Sequence, residues 1–326
     1  MGVKGVISIC MATYNGERFI REQMDSILRQ TYQDFEVVIC DDCSRDGTLS
    51  ILQEYAQRDS RIHIYKNEHN LGYIKNFEKA IRLCKGNFIA FSDQDDIWFE
   101  DHIEVLLNNI GNKDLVCGKG ALFEGTFNDN DSFNRTTWED VIVPETDNEM
   151  LLFLLCHGNT FAGNTMLVTK KLVSTKNVLP FASTFYHDEW LLMCASIIGV
   201  GNGSNIINKI ITHRRIHGDN YAFQNLNPSF FLRVKRACTR GKYKNRTELP
   251  SYLYEILNRF EIHESQKATL DLCKVILQGR VSTIFNLPKK LNGLKASMKN
   301  YDKIARFKDS KTIKRKFFYC VRYLFF

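Results

Sequence analysis

A chain of 326 residues, 44% hydrophobic, 25% charged and 12% aromatic, has enough apolar material for one large domain or two of ordinary size. Only 5 prolines argue against long disordered linkers, and the formal charge of +7 conceals an asymmetry. From Phe230 onward lie 23 of the 44 Lys and Arg but 7 of the 37 Asp and Glu, so an acidic body of −9 precedes a basic stretch of +16.

Val6 to Met11 is a short apolar run that stops at the turn signal Thr13-Tyr14-Asn15-Gly16. Between Glu17 and Arg29, apolar residues at Phe19, Ile20, Met24, Ile27 and Leu28 mark one face of a helix. Phe35 to Cys40 reads as a second buried strand, ending at Asp41-Asp42, and Asp46-Gly47-Thr48 turns into a helix through Tyr55. A third strand (Ile62 to Tyr65), a helix (Ile74 to Leu83) and a fourth strand (Phe88 to Phe91) follow. This alternation predicts an α/β fold with a Rossmann-like, mostly parallel, doubly wound sheet. Ligands of such sheets bind beyond the carboxyl ends of the strands, where Thr13 to Gly16, Asp41-Asp42 and Asp93 to Asp96 lie. No G-x-G-x-x-G or G-x-x-x-x-G-K-[ST] follows a strand, which argues against a dinucleotide or P-loop site.

Residues 111 to 145 read as polar loops and short strands. A helix (Glu149 to Cys156), a strand-like segment (Thr165 to Thr169) and a helix (Glu189 to Ile198) come next, and beyond Pro228 the chain reads as helical and basic. Its last residues add Phe317, Phe318, Tyr319, Tyr323, Phe325 and Phe326, a mixture suited to an anionic membrane surface, with a plain solvated face as the alternative. Nucleic acid is disfavoured, since phosphate-backbone binding needs basic contacts across the footprint and the body is acidic. No apolar run is long enough to span a bilayer. The first residues match neither a signal peptide nor a myristoylation signal, and the 10 scattered cysteines fit reduced thiols. The expectation is a cytoplasmic protein, peripheral at the inner face of the cell membrane.

The densest chemistry is Ser92-Asp93-Gln94-Asp95-Asp96, directly after an apolar strand. Three carboxylates in four positions repel one another, and a hard divalent cation such as Mn2+ or Mg2+ would offset that repulsion. A solvated acidic turn is the plainer reading. Asp188, in His187-Asp188-Glu189-Trp190, suits a helix N-terminus as well as it suits a general base.

Ile7 to Gly16, Val37 to Thr48, Asn70-Leu71-Gly72 with Lys75-Asn76, and Asp93-Gln94-Asp95, in that order, resemble the inverting family 2 glycosyltransferases. These are nucleotide-diphospho-sugar transferases of the GT-A fold, and the resemblance covers roughly residues 3 to 222. It implies a nucleotide-sugar site of Thr13, Tyr14, Asn15, Asp41, Asp42, Lys75, Asp93, Gln94 and Arg215. A carboxylate such as Asp41 is a fitting acceptor for the N3–H of a pyrimidine base. The resemblance further implies metal contacts from Asp93, Asp95 and His217, a catalytic base at Asp188, and an acceptor side formed by Gly163, Asn164 and Trp190.

Within the family, Ser92 to Trp98 together with His187-Asp188-Glu189-Trp190 and His217-Gly218-Asp219-Asn220 most resembles bacterial rhamnosyltransferases of surface polysaccharide synthesis. That implies dTDP-rhamnose as donor and a glycan or lipid-linked oligosaccharide as acceptor. UDP-galactose, UDP-glucose or a UDP-N-acetylhexosamine are the alternative donors, and a non-catalytic nucleotide-sugar binder is the alternative outside the class. The expected division is a catalytic domain over 1–225, with a nucleotide-sugar half to about 110 and an acceptor half after it. A helical basic C-terminal region over 226–326 completes the chain.

Overall fold

The computed structural model describes residues 5–127, 135–137, 143–157, 161–182, 185–199, 201–218 and 256–281. The chain forms two compact units, Met1–Glu139 with Asn159–His217, and Asp140–Gly158 with Gly218–Phe326.

In the first unit the elements run β1 (Ile7–Thr13), α1 (Ile20–Leu28), β2 (Phe35–Asp41), α2 (Thr48–Arg58), β3 (Ile62–Lys66), α3 (Tyr73–Leu83), β4 (Phe88–Ser92), β5 (Ile97–Trp98), α4 (His102–Ile110) and β6 (Leu115–Glu124). Helix α5 (Asp147–His157) belongs to the second unit. The first unit resumes with a 3-10 turn at Gly163–Thr165, β7 (Met166–Thr169), α6 (Lys170–Ser174), α7 (His187–Gly199) and β8 (Ser204–Ile216). All eight strands join one sheet in the order β3-β2-β1-β4-β7-β6-β8-β5. Strands β1 to β4 are mutually parallel, β6 and β8 are parallel to each other, and β7 and β5 run against their neighbours.

Both faces of the central strands are covered, which is why they read as nearly unbroken apolar runs. Ile7, Ile9 and Met11 of β1 and Val37 and Ile39 of β2 join Ile20, Met24 and Ile27 of α1, Leu52 of α2 and Leu106 of α4 in one buried core. Helix α3 packs on β1 and β2 apart from that core, burying Phe77, Ala80 and Ile81.

Three long elements depart from the expectation. Residues 111 to 145 contain the ten-residue strand β6, preceded by α4, and residues 204 to 216 form the thirteen-residue strand β8. The β6–β8 pairing slips in register between Cys117, Lys119 and Gly120. At the slip, a Cβ on Gly118 would stand 2.7 Å from Cδ1 of Ile211 and 3.1 Å from the Lys209 carbonyl oxygen, so the close approach of β8 needs a glycine there. Gly118-Lys119-Gly120 therefore breaks the apolar alternation inside a genuine strand.

In the second unit, α5 packs with α8 (Glu264–Val281), and Asn148 Nδ2 donates to the Ser265 carbonyl at 2.9 Å. No helix among the described residues is long and apolar enough to cross a membrane. The basic region expected beyond Pro228, with its terminal aromatics, lies outside the described residues except for 256–281.

Candidate active site

Strands β2, β1 and β4 are neighbours in the sheet, so the loops leaving their carboxyl ends meet. The β1 and β2 loops are laced together. The Asp41 carboxylate, wholly buried, accepts from Thr13 Oγ1 at 3.1 Å, Ser44 Oγ at 2.5 Å and the Ser44 amide at 3.0 Å. Asn15, with a left-handed φ of 49°, donates its amide to Ser44 Oγ at 2.9 Å and accepts from the Arg45 amide at 2.9 Å. Gly16 donates to Thr48 Oγ1 at 2.7 Å. Tyr14, at the tip of the β1 loop, is 46% exposed.

Asp42 is also turned inward. Its carboxylate accepts from Asn67 Nδ2 at 2.7 Å and from the amides of Leu71 and Gly72 at 2.7 and 2.8 Å, which fixes the entry to α3. Lys75, in the first turn of α3, pairs with Glu78 at 2.8 Å and remains exposed. Asp41 and Asp42 thus organise the turns that carry Asn15, Ser44 and Tyr73.

The acidic loop after β4 is held from three sides. The Gln94 side-chain amide grips the Tyr14 backbone, with Oε1 accepting from its N–H at 2.9 Å and Nε2 donating to its carbonyl at 3.1 Å. Asp96, 2% exposed, accepts from Asn164 Nδ2 and from the Arg215 amide at 2.9 Å, and burial pushes its carboxyl well above the usual range. The Arg215 side chain, also 2% exposed, donates to the Asp95 carbonyl at 3.0 Å, to the Gly125 carbonyl at 2.5 Å and to Glu22. Its guanidinium lies between the rings of Phe19 and Phe123, 4.7 and 4.6 Å from their centroids. A guanidinium so occupied is held as a strut for the loop.

Asp93 and Asp95 keep part of their surface open. Burial, then the charge of Asp95, and further that of Asp188, push the Asp93 carboxyl up to about 7 against the opposing pull of Arg214. His217 Nε2 stands 2.8 Å from Asp95 Oδ2, and its ring lies 4.7 Å from that of Phe19. Among the described residues no three His, Cys, Asp or Glu side chains form a ready-made cation cage. The donor set nevertheless fits a divalent ion that draws its remaining ligands from a diphosphate and water: hard carboxylate oxygens, an imidazole, and carboxyl groups whose mutual repulsion a cation would relieve.

Asp188 opens α7, where its Oδ1 accepts from the Glu189 amide at 2.7 Å, and it stays partly exposed. Its neighbour His187 is buried between aromatic rings: stacked on Phe77 at 4.2 Å, 5.2 Å from Phe91 and 5.4 Å from Tyr73. Burial lowers the His187 pKa, and the Asp188 charge opposes that shift. A Cβ on Gly163 would collide with His187 Nε2, so the absence of a side chain at 163 is what admits the imidazole. Trp190 is wholly buried, with its indole N–H donating to the Val178 carbonyl at 2.8 Å. It supports α7 from behind and has no surface to offer an acceptor. Asn164, 1% exposed, is likewise committed to Asp96.

The structure therefore brings Asp93, Asp95, His217 and Asp188 into one electrostatic neighbourhood, with Tyr14, Asn15 and Lys75 on accessible surface beside the strand ends. It turns Thr13, Asp41, Asp42 and Arg215 inward, as the frame of that neighbourhood, and commits the partly exposed Gln94 to the Tyr14 backbone. Sequence reasoning missed Tyr73, Phe19 and Glu22. Only the neighbouring N-L-G-Y spacing hinted at Tyr73, and nothing local marked the others.

A family profile described as Glycosyl transferase family 2 matches residues 8–171, half of the chain. The Escherichia coli UDP-Glc:alpha-D-GlcNAc-diphosphoundecaprenol beta-1,3-glucosyltransferase WfgD is 38% identical over 120 residues, 34% of this chain and 47% of that protein. The chain spans less than half the length of the curated relatives it matches. Among solved structures it is similar to S. aureus TarS 1-349 in complex with UDP-GlcNAc, with a TM-score of 0.57 and 18% identity over 91% of this chain and 81% of that one. It is also similar to the mannosyltransferase PcManGT from Pyrobaculum calidifontis in complex with GDP-Man and Mn2+, with a TM-score of 0.53 and 16% identity over 98% and 85% of the two chains. The structural likeness speaks for the fold and the profile for the family: this chain belongs to glycosyl transferase family 2 and has the GT-A fold.

Proposed function

We propose that the chain is an inverting, metal-dependent glycosyltransferase of surface polysaccharide synthesis. It moves a sugar from a pyrimidine nucleotide diphosphate to a glycan or lipid-linked acceptor. The observation that carries this reading is the shared field of three carboxylates: Asp93 is pushed to about 7 by burial and by the charges of Asp95 and Asp188, which come from different elements. Carboxylates from two elements that feel each other's charge are placed for one substrate to touch both.

The laced β1 and β2 loops present Tyr14 and Asn15 to the nucleoside, and Lys75 offers charge beside it. Asp95 and His217, with Asp93, would hold Mn2+ or Mg2+, which when bound offsets negative charge developing on the leaving diphosphate. Asp188 accepts the proton of the acceptor hydroxyl. That oxygen forms its bond to the anomeric carbon from the face opposite the diphosphate as the carbon–oxygen bond to phosphate breaks, and the configuration inverts. Gln94, Asp96 and Arg215 keep the acidic loop in place, so little reorganisation accompanies the reaction.

The resemblance of the Asp93 and Asp188 motifs makes dTDP-rhamnose the first donor to test. The glucosyltransferase relative, whose name specifies UDP-Glc, favours UDP-glucose as the second. The basic C-terminal region would hold the enzyme at an anionic membrane surface, where lipid-linked acceptors reside. The deciding assay follows nucleotide release from dTDP-rhamnose, UDP-glucose, UDP-galactose and UDP-N-acetylglucosamine, with Mn2+ and octyl glycosides as acceptors. Release from one donor, stimulated by a glycoside, supports the reading. Tight nucleotide binding without turnover of any donor would leave a non-catalytic binder.

A further inference from the structure

Among the described residues three aromatic rings are substantially exposed: Tyr14 at 46%, Tyr73 at 40% and Tyr186 at 43%. Exposed aromatics invite a partner, because a large apolar face in water is costly and a pyranose offers one in return. All three stand near the carboxyl ends of strands or at the start of α7. Tyr14 belongs to the nucleoside end of the site, and Tyr73 is mounted differently.

Its ring meets Phe77 edge-on at 5.0 Å and His187 edge-on at 5.4 Å. His187 is itself stacked on Phe77 and seated over Gly163. Among the described residues neither ring nitrogen of His187 has a hydrogen-bond partner, so the imidazole is seated by packing and acts as a spacer of fixed thickness. The next residue in the chain is Asp188. Tyr73 and the candidate base are thus carried by one buried ring, one through packing and the other through the backbone.

We propose that Tyr73 is a sugar-stacking residue, whose exposed ring supports the apolar face of the acceptor's terminal sugar and so presents a hydroxyl of that sugar to Asp188. This rests on the transfer reading above, because it takes Asp188 as the base. The stacked sugar is the acceptor's because the ring shares its support with Asp188, where the attacking hydroxyl must arrive. The diphosphate end of the donor belongs with Asp95 and His217 at the end of β8.

The test compares wild type with Tyr73→Ala, Tyr73→Leu and Tyr73→Phe, using the full chain, Mn2+, the accepted donor and octyl glycosides of glucose, galactose, N-acetylglucosamine and rhamnose. Tyr73→Ala and Tyr73→Leu are expected to raise the KM for the glycoside about tenfold more than the KM for the donor, as loss of one aromatic stacking surface predicts. Tyr73→Phe keeps the ring and is expected to stay within about threefold of wild type in that ratio. Leucine fills similar space without a ring face, so it controls for misfolding. An unchanged ratio in Tyr73→Leu overturns the proposal, as does a larger rise in donor KM. A wild-type chain that releases nucleotide from no donor removes the transfer reading and the stacking role together, whereas transfer with a Tyr73-independent ratio removes the stacking role alone.

Discussion

His217 Nε2 lies 2.8 Å from Asp95 Oδ2, so the end of β8 is tethered to the loop that follows β4. The same nitrogen and the same carboxylate would ligate a cation, and cation entry then exchanges a hydrogen bond for two coordinate bonds. Asp95→Ala is expected to weaken the Mn2+-dependent part of UDP or dTDP binding at least about tenfold. Calorimetric titration with and without Mn2+ measures it, and equal wild-type affinities in the two conditions would exclude the cation role.

Asp188→Asn keeps size and the contact to the Glu189 amide but cannot take a proton. We expect kcat to fall by about 10²-fold or more while nucleotide affinity holds, because the base contributes only as the acceptor oxygen attacks. Nucleotide release and equilibrium binding on one preparation separate the two. A parallel loss of binding would mean that Asp188 serves the donor.

Arg215 looks like a phosphate clamp by residue type and acts as a strut by location. Arg215→Leu leaves the Asp95 and Gly125 carbonyls and Glu22 without their donor, an expected loss of about 3 kcal/mol. Arg215→Lys restores charge but cannot reach three separated acceptors, so it is expected to rescue little. Urea unfolding reads the stability. Full stability in Arg215→Leu with weakened diphosphate binding would restore the clamp reading.

Gly163→Ala places a methyl where His187 Nε2 sits. The imidazole must move, and the first turn of α7 with it. The expected result is a drop in kcat of about tenfold or more, since small displacements of a positioned base are costly. An alanine variant with wild-type kcat would show that the His187 seat does not set the position of Asp188.

His102 supplies a stability test remote from the chemistry. Its ring stacks on Trp98 at 3.9 Å, Nδ1 donates to the Ile211 carbonyl at 2.9 Å, and burial lowers its pKa from 6.5 to about 4. The unfolded chain binds this proton more readily, so the contribution is complete above about pH 6.5 and is lost as pH falls toward 4. Between pH 7 and pH 5 the expected loss is about 2 kcal/mol. Urea unfolding at the two pH values should show this slope, and His102→Phe should flatten it.

How much of this was legible beforehand depended on where the physics is local. Strands β1, β2 and β4 announced themselves because burial on both faces demands unbroken apolar runs, and the polar clusters at their ends marked the candidate site. Strands β6 and β8 did not, since the slip at Gly118 and the mixed sequence of β8 hide pairings that exist only between segments about ninety residues apart. The carboxylates of the candidate site could be named from the motifs, but not which way they face. Asp41, Asp42 and Arg215 bear charges that suit a ligand, and their occupied, buried positions come from partners distant in sequence. Tyr73 became visible only through its contact with His187, 114 positions along the chain.

The grip of Gln94 on both backbone polar groups of Tyr14 has a thermodynamic corollary. One amide joins the turn proposed to receive a nucleoside to the loop proposed to receive a cation, so on that reading what settles one end helps to settle the other. Whatever factor the ion adds to nucleotide affinity, the nucleotide must return to ion affinity, by reciprocity of linked equilibria. A glutamate at this position, with no N–H to donate to the Tyr14 carbonyl, would loosen that joint and shrink both factors equally.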